Sequence, residues 1–280
     1  MSGSPAIDAV LAGIFGLLLG SFLNVVIHRL PKMLERQWAD ECAELSGQPP
    51  SADPPLTLWK PRSRCPKCGH QIKWYENIPV ISYVALRGKC SACAAPIGVR
   101  YPVVEIVTGL LFWFAVNRWG VTATAGVWCV FCAARVALFL IDWDTTLLPD
   151  DITLPLLWLG LIAASLGWTR VPLAEAVWGA IAGYMSLWLV YQGFKLLTGR
   201  EGMGYGDFKL FAALGAWFGW QALVPIILMA SVIGAVVGIA MKMSSGLREG
   251  GYVPFGPFLA GAGLTAMVFG PSSILRFAGL

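Results

Sequence analysis

Apolar runs alternate with short polar connections along nearly the whole chain. Eight of them approach the roughly 20 residues that a helix needs to cross a hydrocarbon core of about 30 Å. They cover residues 9–27, 102–117, 121–141, 152–168, 173–197, 207–219, 222–241 and 254–275. The sixth is short and flanked by glycines, so it reads as a tilted or half-buried span. The pattern predicts an all-α polytopic membrane protein with about eight transmembrane helices, and no internal repeat or low-complexity tract stands out. One stretch breaks the alternation: from His28 to Arg100 the chain is polar and carries Pro49, Pro50, Pro54 and Pro55. This divides the chain into a first transmembrane helix (1–27), a soluble loop domain (28–101) and a membrane core (102–280). A segment of that size is too small to build a large core, so it needs a staple.

Composition agrees with the pattern. The 280 residues are 57% hydrophobic and 13% charged, whereas an average soluble domain is about 25% charged. With 13 Trp and 14 Phe the chain is neither disordered nor fibrous. The net charge of +4 does not point to nucleic acid, because 11 of the 20 Lys and Arg fall between His28 and Arg100 and report topology instead. Basic residues follow the first run and none precedes it, so this run reads as a retained anchor rather than a signal peptide. The expectation is an N-terminus on the outer side and a cytoplasmic loop domain, with Lys195, Arg200, Lys242 and Arg248 on the cytoplasmic side.

Four of the seven cysteines form two CxxC pairs, Cys65/Cys68 and Cys90/Cys93, separated by 21 residues. Each pair places two thiolates on one side of a turn, and Gly69 lets the backbone reverse after the first. This spacing suits a closed, structural Zn²⁺ site whose binding energy becomes folding energy. The alternative is two redox-active or unligated thiol pairs. Cys42 reads as a lone cysteine, and Cys129 and Cys132, three apart in an apolar run, as core.

Five carboxylates sit at span ends on the expected cytoplasmic side: Asp142, Asp144, Asp150, Asp151 and Asp207. Ionisable groups at that depth are costly and mark function or pairing. Asp150 or Asp151 stands where a helix N-cap belongs, with Thr153 just inside. Asp142 and Asp144 are two residues apart, about 200° around a helix, so only one can face inward. Asp142 continues the apolar run without a break and is the better candidate. Asp207 follows glycines at 202, 204 and 206, a spacing and context unlike the dinucleotide fingerprint. Residues 202–206 offer an extended strip of backbone for pairing with a peptide. Two carboxyls sharing a site cannot both ionise cheaply, and such a pair can activate water while protonating a leaving amide. Lys209 projects to another face, as an interface residue.

These residues resemble a known family. Residues 20–31 (GSFLNVVIHRLP), the two CxxC pairs, residues 76–83 (ENIPVISY), 86–90 (LRGKC), 100–105 (RYPVVE), the 142–153 segment and 202–210 (GMGYGDFKL) resemble, in order, the type IV prepilin peptidases of the GxGD intramembrane aspartyl protease group. The resemblance implies Asp142 and Asp207 as the catalytic pair, where the geometric reading alone left Asp144 open. It implies support for the substrate or its loop from Gly202, Met203, Gly204, Gly206 and Lys209. It further implies prepilin and pseudopilin substrates, cut after a glycine that ends a short basic leader, at the cytoplasmic face of a bacterial inner membrane. S-adenosylmethionine is implied as donor for N-methylation of the new N-terminal Phe. The competing classes are a transporter, in which Asp142, Asp207, Glu105 and Arg135 would form an ion relay, and a zinc-ribbon scaffold. Acidic residues gathered at one face disfavour the first, and the 202–207 motif is unexplained by the second. Outside those classes, Glu105 and Arg135 read as a buried pair or as interface residues.

Overall fold

The structure, a computed structural model, describes residues 4–49, 56–244 and 253–277. Pro50, Pro54, Pro55 and Arg248 lie outside them. Among the described residues there are ten α-helices and no strand: α1 (Pro5–Leu45), α2 (Ile81–Ala85), α3 (Arg100–Trp119), α4 (Ala123–Thr145), α5 (Asp150–Ser165), α6 (Leu173–Thr198), α7 (Tyr205–Phe218), α8 (Leu223–Met243), α9 (Gly256–Phe269) and α10 (Pro271–Phe277). The all-α expectation holds.

Each apolar run falls on a helix, with three differences. The first helix does not stop at residue 27 but continues to Leu45, through Pro31, so the polar segment begins inside a helix of about 60 Å. The last run is broken at Gly270, whose φ of 85° ends α9 and separates it from α10. The third is that length and composition together, rather than run length alone, decide which helices qualify as spans unaided. Among the described residues, four segments are long and apolar enough to cross a membrane unaided: α1, α4, α6 and residues 220–243, which contain α8. Helices α7 and α9 have 14 residues each, about 21 Å, short of a full crossing.

The chain divides into two compact units, Met1–Cys129 and Val130–Leu280. In the first, α1 and α3 approach through glycines. A Cβ on Gly20 would lie 2.7 Å from the Glu105 Cα, and one on Gly16 would lie 2.9 Å from the Gly109 Cα. Small residues permit this closeness, and dispersion rather than hydrophobic exclusion drives helix association in lipid. Arg29, buried on α1, donates to the Thr57 and Pro61 carbonyls at 2.8 and 2.7 Å and anchors the polar segment to the helix.

The second unit is built around α7. Ten of its fourteen residues are buried, which explains how so short a helix is retained: protein rather than lipid covers it. Gly179 on α6 faces Gly215 on α7 backbone to backbone, and a Cβ on Gly183 would lie 2.7 Å from the Phe211 carbonyl oxygen. On the other side Trp217 fills the notch left by Gly160 on α5, and its indole N–H donates to the Leu156 carbonyl at 2.8 Å. The buried indole is thereby satisfied.

Candidate active site and metal centre

Asp142 lies in the last turn of α4, buried at 4% exposure, whereas Asp144 is exposed. The two face apart, as their spacing requires. Asp207 is the third residue of α7, also 4% exposed, with its Oδ1 lacking any hydrogen-bond partner among the described residues. Its position in the first turn puts the carboxyl beside the positive end of the helix dipole.

The glycine strip is shorter than expected. Gly204 is the N-cap of α7, so Tyr205, Gly206 and Asp207 are already helical, and only residues up to Gly204 are open backbone. Gly202 packs on the Phe194 ring. Gly206 has a different use: a Cβ there would lie 2.6 Å from the Leu148 Cβ. Leu148 belongs to the connection between α4 and α5, and it also reaches Gly256, the first residue of α9, at 3.0 Å from the position of an added Cβ. The Asp142 carboxyl rests on that same Gly256. Leu148 and Gly256 therefore join the two aspartate-bearing segments, one through Gly206 next to Asp207 and the other through Asp142 itself. The sequence reading missed Gly256. Its signal was present as the Gly-Pro pair opening the last apolar run, a helix start that permits close backbone approach.

Asp150 and Asp151 are not caps. Pro149 is the N-cap of α5, and both aspartates are inside the first turn. Asp150 instead accepts from Lys209 Nζ at 2.6 and 2.8 Å. Lys209 is thus a partner rather than a lone interface residue, tying the start of α7 to the start of α5. The other two members of the relay alternative, Glu105 and Arg135, have partners of their own. Glu105 accepts from the Val80 N–H at 2.8 Å, and Arg135 donates to the Leu259 carbonyl at 2.5 Å.

In the first unit, the Sγ atoms of Cys65, Cys68, Cys90 and Cys93 all lie within 4.8 Å of one another, with Cys65–Cys93 at 3.8 Å and Cys68–Cys90 at 3.9 Å. Four ligands about 2.3 Å from one Zn²⁺ in a tetrahedron stand about 3.8 Å apart, so the thiols fit that ion. Backbone N–H groups of Cys68 and Lys67 aimed at Cys65 pull its thiol down to about 6. The two knuckles are a local repeat that the sequence reading overlooked. Arg64 bridges Gln71 and Lys89 bridges Pro96, both seven residues apart, and the turns end on Gly69 and Ala94, both with positive φ. Ala in place of Gly hides the second copy.

Glu76 fastens the knuckles together. Its carboxylate accepts from the Lys73 N–H at 2.8 Å, contacts Ser91 of the second knuckle, and meets His70 of the first at 3.2 Å. These bonds, led by the Lys73 N–H, hold its carboxyl down to about 2. Beside this staple is an open cavity of about 450 Å³, lined by His70, Lys73, Tyr75, Glu76, Leu86 and Ser91 among others.

Comparison with known proteins accounts for both units. The model of the bacterial peptidase A24 N-terminal domain matches residues 14–119, and that of the type IV leader peptidase family matches residues 129–239. A prepilin leader peptidase/N-methyltransferase of Stutzerimonas stutzeri is 50% identical over 286 residues, covering 100% of this chain and 98% of that protein. The chain belongs to the type IV leader peptidase family. Two further relatives with the same name are those of Pseudomonas aeruginosa, 50% identical (95% of this chain, 93% of that protein), and Pseudomonas putida, 52% identical (95% and 92%). No solved structure gives a significant match. In this member of the leader peptidase family, the four thiols fall in the first matched stretch and both buried aspartates in the second.

Proposed function

We propose that this chain is an aspartic endopeptidase of the bacterial inner membrane that removes the short basic leader from type IV prepilins and type II secretion pseudopilins and N-methylates the residue so exposed. Asp142 and Asp207 are its catalytic pair. The observation that carries this is two buried acids on separate helices, α4 and α7, in segments joined through Leu148 and Gly256.

The chemistry follows from sharing one proton. The ionised carboxylate takes a proton from water as the water oxygen attacks the scissile carbonyl carbon. The protonated carboxyl hydrogen-bonds the carbonyl oxygen, and a proton then passes to the leaving amide nitrogen as the C–N bond breaks. Backbone up to Gly204 is available to align an extended peptide beside Asp207, with Gly202 and Met203 in it. Lys209 holds the start of α7 through Asp150.

Zn²⁺ held by Cys65, Cys68, Cys90 and Cys93 has no open position for water, so its role is structural. S-adenosylmethionine supplies an electrophilic methyl group. The cavity beside Glu76 has a volume within the range of small-molecule sites. It offers an ammonium at Lys73 for a carboxylate, a ring at Tyr75 for adenine and a carboxylate at Glu76 for ribose hydroxyls or the sulfonium. The orientation that suits these roles has the N-terminus in the periplasm and the active site at the cytoplasmic face. Lys195, Arg200 and Lys242, at the ends of α6 and α8, support it by the positive-inside rule.

The deciding experiment is cleavage of a prepilin by purified Asp142→Asn and Asp207→Asn proteins. Each should lose about 10²–10⁴-fold in rate while still inserting and carrying one zinc. Asp144→Asn should cleave normally; full activity in Asp142→Asn would transfer the role to Asp144. Methyl transfer to a precut Phe peptide needs a free amine and an oriented donor rather than a carboxyl pair, so Asp207→Ala should retain it. Lys73→Ala and Tyr75→Ala should instead weaken equilibrium binding of S-adenosylhomocysteine, read without turnover.

A further inference from the structure

Arg135 is the largest charged side chain sealed within the second unit. It is 0% exposed at the middle of α4, lies over the Phe131 ring at 5.5 Å, and leaves Nε and Nη1 without a hydrogen-bond partner among the described residues. Burying a guanidinium with two of its N–H groups unmatched is expensive, and a residue that persists at such a cost in a membrane core marks a function. The peptidase reaction given above does not use it.

Its hydrogen bond to α9 shows where it acts. Nη2 donates to the Leu259 carbonyl of α9 at 2.5 Å. It reaches that backbone because position 263, one turn further along α9, is glycine. A Cβ there would lie 2.6 Å from Nη2 and 3.1 Å from Cζ. Arg135 stands seven residues, two turns, before Asp142 and so lies on the same face of α4. On α9, Leu259 is three residues after Gly256, against which the Asp142 carboxyl rests. Helices α4 and α9 are therefore fastened on one seam at two heights, by Arg135 on the Leu259 carbonyl and by Asp142 on Gly256. The first contact is a charge-assisted hydrogen bond with defined direction, and the second is a contact without a side chain on the α9 side.

We propose that Arg135, seated in the slot left by Gly263, is a positioning residue for Asp142. By holding the Leu259 carbonyl it sets the depth and rotation at which α9 meets α4, and thereby keeps Gly256 against the reactive carboxyl. The proposal rests on Asp142 belonging to the catalytic pair. A helix free to slide by a fraction of a turn would let the carboxyl swing or admit water irregularly, and misplacement by about 1 Å can cost around 10²-fold in rate.

The test uses full-length protein in detergent or nanodiscs with a prepilin substrate, reading kcat and KM separately. Arg135→Met should lower kcat about tenfold to a hundredfold with KM changed less than about twofold, and Arg135→Lys, which keeps a cationic donor, should recover part of that loss. A general packing defect would instead lower the amount of folded protein without a kcat-specific loss or rescue by Lys. Where Arg135→Met does not accumulate, Gly263→Ala supplies the same test, because one methyl group closes the slot, and it should lower kcat in the same way. Wild-type kcat in either variant, with Asp142→Asn inactive, overturns this inference alone. Full cleavage by Asp142→Asn overturns the catalytic assignment on which it stands.

Discussion

In the polar segment, residues 28–101, the framework hangs on side chains that reach out. Arg29 holds loop carbonyls, Glu76 holds both knuckles, and four thiols converge on one point. In residues 130–280 it hangs on side chains that are missing: Gly179 against Gly215, Gly183 against the Phe211 carbonyl, Gly206 against Leu148, Gly256 against Asp142 and Gly263 against Arg135. The difference follows from solvent. A small water-exposed segment has too little apolar surface to fold on burial alone and needs charged side chains or converging ligands as well. Helices in lipid gain nothing from excluding water from one another, so close approach has to supply their cohesion. The polar segment should therefore break when atoms are removed, and the second unit when atoms are added.

The largest effect expected on this contrast is at the thiols. Cys90→Ser should abolish stoichiometric zinc, measured by elemental analysis, and unfold the loop domain to proteolysis, because structural Zn²⁺ contributes about 10–16 kcal/mol in small domains. A zinc-free protein with an ordered, protease-resistant loop would mean that side-chain hydrogen bonds suffice there. Next is addition of a single methyl to the second unit. Gly215→Ala would drive a Cβ into the Gly179 backbone and should destabilise by about 1–3 kcal/mol, seen as earlier thermal unfolding in detergent. An unchanged midpoint would refute backbone-to-backbone packing of α6 on α7.

A smaller effect concerns pH. The Glu76 carboxyl is held at about 2 in the folded domain, against about 4.3 in an unfolded chain. Its contribution is present above about pH 4.3 and is lost as pH falls towards 2. Glu76→Gln should flatten that part of the loop domain's acid-unfolding curve, and a curve superimposable on wild type would remove Glu76 as the staple. The smallest effect belongs to the pair of Lys209 with the half-exposed Asp150. Lys209→Met should cost at most about 1 kcal/mol, weaken further with added salt in the wild type only, and leave cleavage within a few-fold. Abolished cleavage would show that Lys209 meets the substrate directly.

Much of this was legible one residue at a time. Apolar run length located the helices, because a hydrocarbon core imposes a length on any segment crossing it. Two CxxC pairs announced a cluster of four thiols that could hold a metal, since thiolate convergence requires short, regular spacing. The choice between Asp142 and Asp144 leaned correctly towards the buried one, because helical periodicity is a local property. Other features had no local signal. That Pro149 caps α5 and frees Asp150 for Lys209, that Gly206 makes room for Leu148, and that α7 is short because protein surrounds it depend on what comes from distant parts of the chain.

The sequence by itself determined the class of the protein, its candidate reactive side chains and the contrast between a polar segment and apolar runs. These are set by composition, spacing and period, which act over a few residues. The tertiary structure decided which glycines are contact points, which acid meets Gly256, and that Arg135 is sealed against the Leu259 carbonyl. A glycine in a sequence records only a missing Cβ. What occupies the space it leaves is fixed by a segment that arrives from tens of residues to more than a hundred residues away, and only packing brings that segment to it.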